Sequence, residues 1–286
     1  MKDSKNNMDN DYEWIVGMID GDGFLDLERT KNGNNFYYRP VLAIAQKDVK
    51  LLYKIKKILT IGRISKRKDG YYHYRVRSRK LFEHYLIPIF VKYPFLSNKK
   101  IQFKLIVRSL KILKNYSSKD IEKQRCLNKF IQLIRKARLR KVSNNKSLSQ
   151  AWFVGFFDSE GCISISKIKA TSQYKFTIKI KKDTFHYSLL KSIKDVLQIG
   201  HIYKERFSEN KKIYYWGVTS RRQLSKLISL FNKYPLKSEK HIKWTKFLKL
   251  LRISPKSEKA QQRIRRLLLS FDFEERVPTK LKNLEK

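Results

Sequence analysis

Trp14-Ile15-Val16-Gly17-Met18-Ile19-Asp20-Gly21-Asp22-Gly23 is matched 138 positions later by Trp152-Phe153-Val154-Gly155-Phe156-Phe157-Asp158-Ser159-Glu160-Gly161. The match continues outward in the same order. Gln46-Lys47-Asp48 pairs with Lys181-Lys182-Asp183, Ile61-Gly62 with Ile199-Gly200, and Lys92-Tyr93-Pro94 with Lys233-Tyr234-Pro235. Ser97-Asn98-Lys99-Lys100-Ile101 pairs with Ser238-Glu239-Lys240-His241-Ile242. Ordered self-similarity of this length marks a repeated structural unit. The 286 residues divide into a first copy at 1–118, a basic helix and polar linker at 119–148, and a second copy with a basic C-terminal helix at 149–286. Each copy is of ordinary domain size.

Both copies give the same order of elements, αββαββα. A helix ends in the Asp-x-Asp/Glu-Gly segment. Alternating runs at 24–31 and 36–46 follow, with a turn at Gly33-Asn34-Asn35 between them. Leu51, Leu52, Ile55, Ile58 and Leu59 recur at helical spacing over 49–60. A second hairpin, 63–67 and 71–77, turns at Asp69-Gly70. Helices are expected near 81–90 and from 98. The second copy repeats the pattern, with strands near 162–167, 174–181, 201–206 and 213–219. The polar run at 142–147 reads as linker, 261–273 as a helix, and Leu281 onward as a frayed tail.

Sixty-six Lys and Arg face 25 Asp and Glu, a formal net charge of +41. The basic residues are interleaved with Tyr, Phe, Ile and Leu, which places the charge on a folded surface and points to a polyanionic partner, nucleic acid first. Cys126 and Cys162 stand apart without CxxC or clustered His, so neither zinc nor a disulfide framework is expected. No apolar stretch is long enough to span a bilayer. The polar N-terminus lacks the apolar run of a signal peptide. Abundant Lys, Ile, Asn and Tyr have AT-rich codons, which suggests an intracellular protein of organellar origin, mitochondrial or chloroplast.

Gly17 and Gly155 lie inside helical segments, where each costs about 1 kcal/mol relative to Ala. Close backbone approach of two helices would offset that cost. Helices crossing at these glycines bring their C-terminal ends together, and with them Asp22 and Glu160. Two adjacent carboxylates repel, and a divalent cation relieves the repulsion. Carboxylate and water oxygens suit Mg²⁺, and such a site suits in-line phosphodiester cleavage.

The paired segments resemble the LAGLIDADG motif of homing endonucleases, in the single-chain, two-repeat branch. The resemblance covers most of the chain. It implies an α+β fold in which two pseudo-symmetric αββαββα repeats form a saddle of antiparallel sheets for DNA. It also implies a monomeric, intron-encoded enzyme that cuts both strands of a long asymmetric duplex target with Mg²⁺, or Mn²⁺ in its place. The acid before the final Gly is the metal ligand in that family, a role that falls on Asp22 and Glu160. A basic residue near the scissile phosphate corresponds to Lys99 and Lys240, five residues beyond Pro94 and Pro235. A water-organising polar residue at the end of the second strand corresponds to Gln46 and Lys181. Family resemblance leaves Asp20 and Asp158 as structural acids.

Strand alternation defines the surface that would meet DNA. Lys175, Thr177, Lys179 and Lys181 share the face opposite Phe176, Ile178 and Ile180. Arg75 and Arg77 flank Val76; Arg63, Ser65 and Arg67 flank Ile64. Arg39, from the second strand, completes the basic candidates. Asp26 and Glu28 are expected on the open face opposite Leu25 and Leu27, as are Ser164 and Ser166 opposite Ile163 and Ile165. A β-ribbon carrying such side chains fits the major groove. The rival readings on the same fold are an intron RNA maturase, alone or combined with endonuclease activity, and a catalytically silent DNA-binding regulator. Two intact acids argue against the last.

Overall fold

The structure is a computed structural model that describes residues 2–141, 148–167, 174–204, 213–254 and 257–272. The linker at 142–147, the strand end expected at Arg206 and the tail from Leu281 lie outside the described residues.

Helix α1 (Lys2–Asp22) runs directly into β1 (Gly23–Asn32), which pairs antiparallel with β2 (Asn35–Gln46). Helix α2 (Val49–Leu59) follows, its N-terminus capped by the Asp48 carboxylate, and then the hairpin of β3 (Arg63–Lys66) and β4 (Tyr72–Val76). Gly33 and Gly70 supply the positive φ that the two tight turns require. The sheet order is β1-β2-β4-β3. Buried Leu25, Leu27, Leu42, Ile44, Tyr74 and Val76 face the helices.

The helix expected near 81–90 is interrupted. It consists of α3 (Arg79–Leu81), a π turn (Phe82–Leu86) and α4 (Ile87–Lys92). Pro88 has no N–H to donate to the carbonyl four residues back, so the local hydrogen-bond register widens. Its counterpart in the second repeat, which lacks proline, is one continuous helix of 13 residues (α9, below). Helix α5 (Lys99–Leu113) then leads to α6 (Ile121–Ala137), capped by Asp120. Helix α6 lies against α5 and β1, so it belongs with the first repeat.

The second repeat begins with α7 (Gln150–Glu160), capped by Ser149. It continues through β5 (Gly161–Lys167), β6 (Tyr174–Asp183), a 3-10 turn (Thr184–His186) and α8 (Tyr187–Leu197). Strands β7 (His201–Lys204) and β8 (Ile213–Val218), then α9 (Arg221–Lys233), α10 (Lys240–Arg252) and α11 (Glu258–Asp272), complete it. Its sheet order, β5-β6-β8-β7, copies the first. Both sheets and both helix sets share one hydrophobic core, centred on α1 and α7. Among the described residues, both cysteines are free and no helix is long and apolar enough to cross a membrane.

Candidate functional site at the crossing of the two motif helices

Helices α1 and α7 cross at their glycines. A Cβ on Gly17 would stand 2.0 Å from the Trp152 carbonyl oxygen, and one on Gly155 would stand 1.9 Å from that of Trp14. No side chain fits at either position. One turn beyond, Gly21 faces the side chains of Ser159 and Glu160. The crossing therefore brings the C-terminal ends of both helices side by side and sets Asp22 and Glu160 next to each other.

The earlier acids perform a different task. Asp20, 1% exposed, accepts hydrogen bonds from Leu96 N (2.8 Å), Ser97 N (3.1 Å), Ser97 Oγ (2.5 Å) and the indole Nε1 of Trp152 (2.9 Å). Asp158 accepts from Lys237 N (2.8 Å), Ser238 N (3.1 Å), Ser238 Oγ (2.5 Å) and Nε1 of Trp14 (2.8 Å). Each carboxylate thus fixes the loop after its own repeat's proline and the tryptophan of the other repeat. Burial raises the Asp20 pKa, against the opposing effects of Lys99 and these donors.

Lys99 and Lys240 reach the same crossing. Lys99 Nζ donates to the carbonyls of Asp20 (2.8 Å) and Gly21 (3.2 Å); Lys240 Nζ donates to those of Asp158 (2.6 Å) and Ser159 (3.1 Å). These carbonyls belong to the last turns of α1 and α7, where the helix dipole favours a cation. Burial lowers the Lys99 pKa to about 8 and lowers that of Lys240 as well, each against nearby carboxylates that raise it.

The two C-terminal acids have unlike partners. Gln46 Nε2 donates to Asp22 Oδ2 at 2.6 Å. Glu160 is ion-paired with Lys182. The Asp22 side chain is exposed, yet surrounding protein raises its pKa. Glu160 beside it raises the pKa further, while Gln46, Lys240 and Lys182 oppose the rise.

This arrangement corrects the matching of Gln46 to Lys181. Gly23 pairs with Ile44 and Gly161 with Ile180, so Gln46 corresponds to Lys182. Its cross-strand neighbour is Tyr72, and that of Lys182 is Tyr214. The second copy has one residue fewer between this position and the capping aspartate, Asp48 or Asp183, and a 3-10 turn restores the helix register. Lys181 points to the opposite face, where its ammonium lies 5.7 Å from the Tyr215 ring centre.

The outer sheet faces differ between repeats. Arg39, Arg63, Arg75 and Arg77 line one groove of about 800 Å³ on the first sheet. Arg63 and Arg75 are direct cross-strand partners. Arg67 contacts His73 at 2.8 Å and Asp69 at 2.7 Å, and Arg77 pairs with Glu28 at 3.3 Å. On the second sheet Lys175, Thr177 and Lys179 lie in a row opposite Ser166, Ser164 and Cys162. Lys179 lies 5.7 Å from the Tyr215 ring, which stacks on Tyr203.

Asp26 departs from expectation. It projects opposite Leu25 and Leu27, yet it is 4% exposed because Arg135 and Arg138 of the α6 end cover it. Nothing local in the chain signals these partners, more than 100 positions away, or the exchanged Trp-Asp bonds.

Among the described residues, Asp22 and Glu160 offer carboxylate oxygens at the crossing, and no group of three or more His, Cys, Asp or Glu is arranged to hold a metal ion. Such a set fits a hard divalent cation that keeps several waters.

The chain resembles proteins of one kind. It is 34% identical over 128 residues to the probable intron-encoded endonuclease Cox1-I1b of Schizosaccharomyces pombe, covering 42% of this chain and 32% of that protein. It is 24% identical over 246 residues to the probable intron-encoded endonuclease 4 of Neurospora crassa, covering 84% of this chain and 39% of that one. The chain thus spans less than half the length of these two relatives. Its fold matches that of the I-LtrWI LAGLIDADG homing endonuclease bound to target DNA with a TM-score of 0.80 at 20% identity, over 92% of this chain and 98% of that one. It matches I-GzeII in complex with its DNA target with a TM-score of 0.75 at 20% identity, over 90% of this chain and 97% of that one. The family model for LAGLIDADG endonucleases matches residues 15–110 and 153–251, one segment per repeat. Two matches to this model, together spanning more than half of the sequence, make this chain a member of the LAGLIDADG endonuclease family.

Proposed function

We propose that the chain is a monomeric, site-specific endonuclease that cuts both strands of a long asymmetric DNA target, with Mg²⁺ as its cofactor. The observation that carries this reading is the meeting of Asp22 and Glu160 at a helix crossing between two basic sheets. Each acid comes from a different repeat, so one chain completes the site. A bound divalent cation would lower the pKa of an attacking water and offset charge on the phosphate oxygens.

The protein's own groups have distinct parts in this scheme. Asp22 and Glu160 would hold the ion, each acid serving one strand. Gln46 donates to one oxygen of Asp22 and keeps its amide carbonyl to accept a hydrogen bond from the attacking water. Lys99 and Lys240 each spend two N–H donors on helix-end carbonyls, and the third serves a phosphate oxygen as negative charge develops. Arg39, Arg63, Arg67, Arg75 and Arg77 on one sheet, and Lys175, Thr177 and Lys179 on the other, contact the duplex. The relatives' names favour endonuclease activity over an RNA maturase, and their intron origin supports an organellar source.

Selection of a randomised duplex library for cleavage tests the reading. Recovery of one long sequence, cut on both strands only when Mg²⁺ or Mn²⁺ is present, is expected. Full cutting in excess EDTA, or no cut sequence at all, overturns it.

A further inference from the structure

Three residues of the first repeat form a cluster that the site above does not use. Arg135 and Arg138, one turn apart at the end of α6, both meet the single carboxylate of Asp26, at 3.6 and 3.1 Å. The Arg138 guanidinium also lies over the Phe24 ring, 4.6 Å from its centre. Phe24 and Asp26 project from β1 on the side away from the core, only two and four positions after Asp22. Asn98, next to Lys99, holds the Arg138 carbonyl through its side-chain amide. The end of α6 is therefore fastened beside the candidate catalytic centre, on the outer side of the first sheet.

Two guanidiniums on one carboxylate leave one positive charge uncompensated. The Arg135 side chain is 62% exposed and that of Arg138 40%, while Asp26 is almost fully covered. The carboxylate is thus spent on orienting the arginines, and their remaining N–H donors face solvent. Arg140 and Lys141 follow at once, both exposed. Guanidinium forks held in place and left with free donors suit phosphate oxygens.

Among the described residues, the second repeat has no such cluster. Gly23 and Gly161 begin equivalent strands, so the counterpart of Asp26 is Ser164, which cannot hold two arginines. Helix α11, which follows α10 as α6 follows α5, carries no basic residue in the last turn of its described length.

We infer that Arg135, Arg138 and Arg140, at the end of α6, form a phosphate clamp that grips the DNA backbone beside the first repeat only. The inference rests on the endonuclease reading above and deepens it. The clamp adds affinity without reading sequence, and it makes the grip on one half of the duplex tighter than on the other.

The test uses the full chain in EDTA with a fluorescent random-sequence duplex, so that neither a known target nor cleavage is needed. Binding is measured by anisotropy over a salt series for the wild type, Arg135→Gln, Arg138→Gln and Arg140→Gln. For a duplex of roughly 30 base pairs, the slope of log K against log salt should flatten by about 0.9 for each arginine removed. Arg138→Gln leaves Asp26 with a poorer partner and will lower the melting temperature. Arg140 lies outside the ion pairs and Arg135 is mostly exposed, so those two variants keep the wild-type fold and decide the matter. Unchanged slopes in both, with wild-type melting, would overturn the clamp and leave the endonuclease reading intact. Absence of salt-dependent duplex binding by the wild type would overturn both.

Discussion

Lys182 holds Glu160 in an ion pair at the place where, in the other repeat, Gln46 donates a neutral hydrogen bond to Asp22. The pseudo-two-fold axis therefore relates two acids of similar position and different charge balance. Replacing Lys182 with Gln makes the halves alike and removes one positive charge from the crossing. Affinity for Ca²⁺ without DNA, measured by calorimetry, should rise roughly 3- to 10-fold, the size expected for a partly buried charge pair. Unchanged affinity would show that Lys182 leaves Glu160 when a cation arrives.

The raised pKa of Asp22 ties this acid to stability. A carboxyl whose folded pKa exceeds its unfolded value near 3.8 costs stability at neutral pH. The cost disappears as pH falls through the folded value toward the unfolded one. Asp22→Asn should therefore melt higher than the wild type at pH 7, and the gap should close as pH approaches 4. The same substitution is expected to abolish most double-strand cleavage while DNA binding persists, and Glu160→Gln should do likewise. Equal melting gaps at pH 7 and pH 4 would count against a carboxyl-specific effect.

Lys99 titrates in the opposite sense. Its folded pKa is about 8, below the free value of 10.5. Between these limits the unfolded chain holds a proton that the folded chain has released, so stability gained from this group rises with pH. Compared with Lys99→Met, the wild type should improve its relative melting temperature from pH 8 to 10.5. At pH 7 the variant should melt lower, because the Asp20 and Gly21 carbonyls lose their donor. A pH-independent difference would place the titration elsewhere.

Gly17→Ala and Gly155→Ala test the helix crossing. In an open helix the change would stabilise by about 1 kcal/mol. Here the new methyl would sit about 2 Å from a carbonyl oxygen of the facing helix. A loss of about 3 kcal/mol or more is expected from such overpacking. Urea unfolding of either variant gives the sign directly, and a gain in stability would mean that the helices are farther apart.

Much of this was legible in the chain because the repeat supplied each reading twice. Gly17 recurs as Gly155 138 positions later and Lys99 as Lys240 141 positions later, each lysine five residues beyond its repeat's proline, and the structure brings all four to one crossing. Asp26 was misread because alternation along a strand says which way a side chain points, but not what comes from elsewhere to cover it. Arg138 arrives from 112 positions away. Lys182 was missed because matching Asp48 to Asp183 by identity hides a one-residue shortening before the cap, which only the strand register exposes. Neither indole-to-carboxylate bond leaves a local trace, since each joins residues more than 130 positions apart.

Those exchanged bonds restrict how such a protein can be taken apart and rebuilt. The Asp20 carboxylate organises its own repeat's loop, yet one of its donors is Trp152 from the other half; Asp158 depends in the same way on Trp14. A half transplanted onto an unrelated partner would bring an acceptor whose donor stayed behind and a donor with nothing to receive it. Recombination between relatives, in a laboratory or in a genome, therefore succeeds most readily where both parents keep an indole at this helical position. The tryptophan that looks like ordinary core packing in one half is then the compatibility key for the other.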